Sequence, residues 1–99
     1  MSAQSIMDFN VRVADEALDE PIDGEVFLRG CGNPDYAQYA DVSPIATVKV
    51  GSLREASKTC RSYIQGWNLG GGNWAGGEVS VNGEVVAWVS YNGRVWKRG

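Results

Sequence analysis

Two Asn-Gly dipeptides, Asn82-Gly83 and Asn92-Gly93, lie among alternating apolar and polar residues near the end of this chain. Between such runs Asn-Gly is the strongest short-range hairpin signal, because a type I′ turn needs positive φ at both central residues. Together they dictate a three-stranded meander, with strands expected over 78–81, 84–91 and 94–97. Two-residue turns also set the register. Val79 is then expected opposite Val86, Val89 opposite Trp96, and Tyr91 opposite Arg94. One sheet face would carry Val79, Val81, Val86, Trp88 and Val95. The other would carry Val85, Ala87, Val89, Tyr91, Arg94 and Trp96.

One segment upstream carries strong helical periodicity. Ser52-Leu53-Arg54-Glu55 has the form of a capping box, in which the serine accepts from the Glu55 amide and the glutamate reaches back to the serine amide. Leu53, Ala56, Cys60, Tyr63, Ile64 and Trp67 recur at helical spacing, while Arg54, Ser57, Lys58, Arg61 and Ser62 fill the opposite face. The spacing predicts a helix over 53–66, ending near Gly66 or Asn68. Alternation predicts short strands around Phe9, Val11 and Val13, over 24–30, and over 45–50, where Ala46, Val48 and Val50 share a face. Residues 15–20 read as one helical turn stopped by Pro21. Residues 1–7 are expected to fray. Residues 31–44, rich in Gly, Pro, Asn and Asp, are expected to form a long loop. The fold class that follows is α+β: a twisted antiparallel sheet of five or six strands, one main helix packed on one face, and a C-terminal three-stranded meander. The helix is expected to cover the Val79, Val86 and Trp88 face; a bulge would swap the two faces.

At 99 residues the chain has the length of a single domain, 1–99. It contains no histidine, which removes Ser-His-Asp and Cys-His catalysis and His-ligated metal from consideration. Its two cysteines, Cys31 and Cys60, cannot alone supply a four-thiolate zinc site. No catalytic residue, metal ligand or cofactor is therefore assigned, and the chain is read as a non-enzyme. The first ten residues, MSAQSIMDFN, show neither the basic nor the apolar region of a signal peptide, and no apolar run is long enough to span a membrane. The expectation is a cytoplasmic protein of a bacterial host with free thiols and no membrane partner.

The net charge of −3 conceals an uneven distribution. Residues 1–48 hold nine carboxylates against two arginines, a balance of −7, and residues 49–99 have a balance of +4. Two charged stretches are candidate binding surfaces. The first is the acidic run Asp15, Glu16, Asp19, Glu20, Asp23 and Glu25, suited to a basic protein partner. It lacks the Asp-x-Asp-x-Asp-Gly pattern of a calcium loop. The second is the basic-aromatic end, Tyr91, Arg94, Trp96, Lys97 and Arg98, whose chemistry combines base stacking with phosphate contact. The glycine-rich stretch 70–77 leads from helix into strand and lacks a Gly-Lys-Ser/Thr ending. A phosphate loop runs from strand into helix, so these glycines are read as a helix-to-sheet connection anchored by Trp74.

Two stretches, Gly-Gly-Gly-Asn-Trp-Ala-Gly-Gly-Glu-Val at 70–79 and Val-Ser-Tyr-Asn-Gly-Arg-Val-Trp at 89–96, resemble a group of small bacterial and prophage-associated proteins of unassigned function. The layout also resembles small anti-CRISPR proteins: a strand, a Ser-Leu-x-x-Ala helix start at Ser52, Leu53 and Ala56, and a terminal hairpin with aromatic-rich strands. That resemblance implies an inhibitor of phage or prophage origin that blocks a nucleic-acid-handling protein complex, such as a CRISPR effector, by surface occlusion. It carries over no site residue. A small nucleic-acid-binding module using the basic-aromatic hairpin is the alternative.

Overall fold

Helix α1 (Leu53–Gly66) starts where the cap was expected. The Ser52 hydroxyl accepts from the Glu55 amide at 3.0 Å. Glu55 reaches one residue further back than the capping-box pattern predicts, accepting from the Gly51 amide at 2.6 Å. At the other end Asn68 takes a φ of 55°, and the Asn68 and Leu69 amides fold back onto the Gln65 and Ile64 carbonyls. This pair of bonds closes the helix in a Schellman arrangement, with asparagine in the place usually taken by glycine. Trp67 lies beyond the last helical turn and is 42% exposed, so it does not join the apolar stripe as expected.

The computed structural model describes residues 8–30 and 44–99. The expectations for 1–7 and 31–43, including Cys31, lie outside these residues. Six strands are described: β1 (Val11–Arg12), β2 (Gly24–Leu28), β3 (Ala46–Val50), β4 (Glu78–Val81), β5 (Glu84–Val89) and β6 (Val95–Lys97). They form one sheet in the order β1-β6-β5-β4-β2-β3, with every neighbouring pair antiparallel. Residues Asp15–Asp19 form the expected short turn, a 3₁₀ helix. The α+β class, the single main helix and the C-terminal meander are all present.

The pairing of β5 differs from the expected one at both ends. The Asn82-Gly83 turn is type I′ as predicted, with φ of 53° and 82°. Further along, however, Val79 pairs with Ala87 while Ser80 pairs with Val85, so Val86 is bulged out of the ladder. At Asn92-Gly93 only Gly93 has positive φ, and Ser90 and Arg94 close the turn. This is a three-residue loop with a glycine bulge, so Val89 pairs with Val95 and Trp88 with Trp96. Because side chains alternate with period two, these shifts reassign the faces. Ala87 and Val89 join Val79 and Val95 under the helix, while Val86 and Trp88 turn to the other side. The expectation that Val86 and Trp88 lie under α1 is thus overturned by the bulge.

The core lies between α1 and one face of the sheet. Val26, Leu28, Val50, Val79, Ala87, Val89 and Val95 meet Ala56 and Cys60 there, all nearly fully buried. Each fully buried valine contributes roughly 1.5–3 kcal/mol of transfer free energy. Leu53, Tyr63 and Trp74 pack around this cluster, and the Trp74 indole donates to the Val89 carbonyl at 3.0 Å. Trp74 is therefore the anchor the sequence suggested. The glycines after it have a tighter role than a flexible connection. Gly76 and Gly77 extend the path of β4 backwards, with the Gly77 amide donating to Phe27 and the Gly77 carbonyl accepting from Val89. A methyl group on Gly76 would lie 2.6 Å from the Phe27 carbonyl oxygen. One on Gly77, where φ is 112°, would collide with the Val89 carbonyl.

Two predictions follow from this packing. Gly77→Ala should lower unfolding free energy by roughly 2–4 kcal/mol, combining left-handed backbone cost with a clash. Gly66→Ala, at the last position of α1 where a methyl group meets no described atom, should leave it unchanged or raise it by up to about 1 kcal/mol. Denaturant titration of both variants checks the contrast. The second concerns Cys60, whose thiol burial pushes its pKa up to about 12, with a smaller contribution from Glu78. The unfolded chain's thiol ionises first, so the stability from keeping the thiol neutral is complete below about pH 8.5 and is lost as pH rises towards 12. Stability of the native sequence should therefore fall more steeply over that range than that of Cys60→Ala; parallel curves would contradict it.

Candidate functional site

The side of the sheet away from α1 carries the aromatic residues that the revised register brings together. Trp88 and Trp96 are direct cross-strand partners, and Arg12 on β1 lies opposite Trp96. Both tryptophans are half-buried. The Trp88 indole N–H is held by the Gly76 carbonyl at 3.2 Å, which fixes the ring against the sheet. Ser90 and Arg94 continue the same face beyond the strand ends. With Phe9, Asn10, Tyr91 and Asn92 they line an open groove of about 480 Å³. Phe9 is 4% exposed, and the Arg98 guanidinium sits 5.1 Å above its ring. The volume is in the range of small-ligand sites.

The turn at the groove's end is pinned to the helix. Ser57 donates to the Gly93 carbonyl at 2.6 Å, and Arg61 donates to the Tyr91 carbonyl at 2.6 Å. The same guanidinium lies 5.4 Å from the Tyr91 ring centre. Within the turn, the Ser90 hydroxyl bonds to Asn92 Oδ1 at 2.7 Å and approaches the Arg94 carbonyl at 3.2 Å.

The predicted basic-aromatic set is therefore distributed in three ways. Trp96 and Arg94 line the groove. Tyr91 lines it too, but one side of its ring is engaged by Arg61. Arg98 covers Phe9, and Lys97, opposite Val11, alternates away from Trp96 towards the helix side. Sequence reasoning missed Trp88, Phe9, Ser90 and Asn92. A two-residue turn at Asn92-Gly93 and an unbulged β5 put Trp88 on the face under the helix. The available signal was that Asn-Gly also fits the last two positions of a three-residue loop with a glycine bulge.

The acidic run does not form one continuous free surface. Arg54 Nε bonds Asp19 at 2.6 Å, and its Nη2 reaches both Asp19 and Asp15 at 3.2 Å. The Arg54 hydrogen bond holds the Asp19 carboxyl below the usual carboxylate range, and the two aspartates push the arginine pKa up. These pairs are solvent-exposed and screened by salt. They tie the 3₁₀ helix to the first turn of α1. Glu16 and Glu20 are exposed. Asp23 and Glu25 line a separate hollow of about 240 Å³ with Lys49, which lies directly across from Glu25.

Among the described residues, no group of three or more Cys, Asp or Glu is placed to hold a metal ion, and no helix is long and apolar enough to cross a membrane. Glu78, opposite Trp88, has one carboxylate oxygen buried with no hydrogen-bond partner among the described residues. No family model, curated protein or solved structure matches the chain.

Proposed function

We propose that this chain is a non-catalytic binding module, that its working surface is the groove over Trp88 and Trp96, and that its ligand is single-stranded nucleic acid. The observation that carries the proposal is the pairing of two tryptophans on the sheet face that α1 does not cover, with cationic side chains around them. Arg12, Arg94 and Arg98 lie beside or within this groove, and none is in an ion pair among the described residues. Aromatic faces accept bases of any sequence, each stack contributing roughly 1–3 kcal/mol, while arginines contact phosphate. The acidic balance elsewhere limits non-specific electrostatic attraction, so binding is modest and weakens with salt only in proportion to the few phosphates the arginines contact.

Trp96→Ala should weaken binding of a labelled single-stranded octamer roughly 10–100-fold at low salt. Arg94→Ala should weaken it for all sequences and lower the slope of log affinity against log salt by about one unit. Fluorescence anisotropy measures both. No binding of the native protein at low ionic strength would end the proposal.

A second reading keeps the chain as an anti-CRISPR-like inhibitor of phage or prophage origin, occluding a nucleic-acid-handling protein complex in a bacterial cytoplasm. What favours it is that Glu16, Glu20, Asp23 and Glu25 are exposed. Reversing Glu16, Glu20 and Asp23 to lysine leaves the Arg54 pairs intact and should abolish inhibition of such a complex. Undiminished inhibition would exclude the acidic surface.

A further inference from the structure

The two edges of the sheet, β1 and β3, are built differently. β1 is two residues long, and a very short edge strand is one way a protein avoids pairing with another chain. β3 is five residues long, contains no proline, and pairs with β2 along its whole length without a register shift. Its middle residues Thr47, Val48 and Lys49 are all exposed. Ile45, just before it, is 63% exposed. Where the backbone groups of β3 point follows from β2. The Phe27 carbonyl accepts from Gly77 and the Arg29 carbonyl from Ala75, so these alternate residues turn their backbone groups towards β4. Both backbone groups of a strand residue point to one side, and the side alternates along the strand. Val26 and Leu28 therefore bond to their partners Val48 and Ala46. The N–H and C=O groups of Thr47 and Lys49 consequently point away from the sheet, and among the described residues nothing pairs with them.

We infer that β3 is a dimerisation edge, and that its occupant is β3 of a second copy of this chain, antiparallel about a two-fold axis at Val48. The edge is complementary to itself in that register. An axis at Lys49 would set two like charges face to face. An axis at Thr47 would leave part of each strand beyond the other. With the axis at Val48 the two strands overlap from end to end. Thr47 then exchanges backbone bonds with the partner's Lys49, so an uncharged side chain faces each lysine. Val48 meets the partner's Val48 in a pair without backbone bonds, where side chains approach most closely. Val48 is 36% exposed in the single chain, and this contact covers it. Each Lys49 keeps Glu25 as its cross-strand partner on β2. The axis stands normal to the sheet, so both copies of α1 lie on one side. The groove, on β5 and β6 towards the opposite edge, stays open. The inference is independent of what the groove binds.

Sedimentation equilibrium of the native protein should show mass rising with concentration from 10.7 kDa towards twice that value. Thr47→Pro removes an outward N–H and no bond to β2, and Val48→Lys sets like charges together at the axis. Each should raise the dimer dissociation constant roughly tenfold or more. Val48→Lys alters an exposed side chain only, so it tests the edge even if the proline disturbs the strand. In a Cys31→Ser background, Val48→Cys should give a disulfide-linked dimer on mild oxidation, because a pair without backbone bonds holds its Cα atoms about 4.5 Å apart. Thr47→Cys, which faces the partner's Lys49, should not. A monomer mass at every concentration up to the millimolar range overturns the inference. So does a dimer that Val48→Lys leaves as tight as the native one, or one in which Thr47→Cys crosslinks and Val48→Cys does not.

Discussion

The pairing of Val79 with Ala87 decides what each side of this sheet presents. A strand's side chains alternate, so moving the pairing by one residue exchanges its buried and exposed sets. Bulging Val86 out of the ladder leaves it 39% exposed and brings Ala87 and Val89 beneath α1. Small residues at Ala56, Cys60 and Ala87 belong to the same buried cluster, which suits a close helix-to-sheet contact. Had Val86 and Trp88 faced the helix, an indole would have had to fit in that layer. The groove is the complement of this choice, because the indole excluded from the core meets the indole of Trp96 on the far side.

Local signals in the sequence were legible where one interaction sets the geometry. Ser52 and Glu55 mark the helix start, and Asn82-Gly83 specifies its turn, because each depends on hydrogen bonds or torsions within a few residues. Register was less legible, because Asn-Gly satisfies two turn geometries that differ by one residue in length. The outcome at Asn92-Gly93 includes partners far away in sequence: Ser57 and Arg61 on α1 hold the Gly93 and Tyr91 carbonyls. The close fit of Gly76 and Gly77 was similarly hidden, since it reflects carbonyls of Phe27 and Val89. Of the candidate site, Tyr91, Arg94 and Trp96 are legible in the basic-aromatic stretch of the last hairpin, whereas Trp88 requires the correct face.

Charge segregation along the chain is partly cancelled by the fold and partly preserved. Arg54, from the basic half, is spent on Asp15 and Asp19 from the acidic half. Asp15 also lines a second hollow, separate from the groove, with Arg12 and Arg94. The groove keeps arginines that this internal exchange does not use. A chain with an acidic overall balance thus retains a local cationic surface, and the sum of its charges says little about what one face attracts.

Ser57 and Arg61, on the flank of α1, fix the turn at the groove's end. A hairpin loop normally moves freely and must be ordered when a ligand arrives, which weakens binding. Here the loop bearing Asn92 and Arg94 is fastened to a capped helix before any ligand is present. The flank of α1 beside its buried stripe, where Ser57 and Arg61 are half-buried, therefore acts as a backstop for the groove. Sequence drift at Ser57 or Arg61 would leave every lining residue in place and still alter affinity, by loosening the lip on which two of them stand.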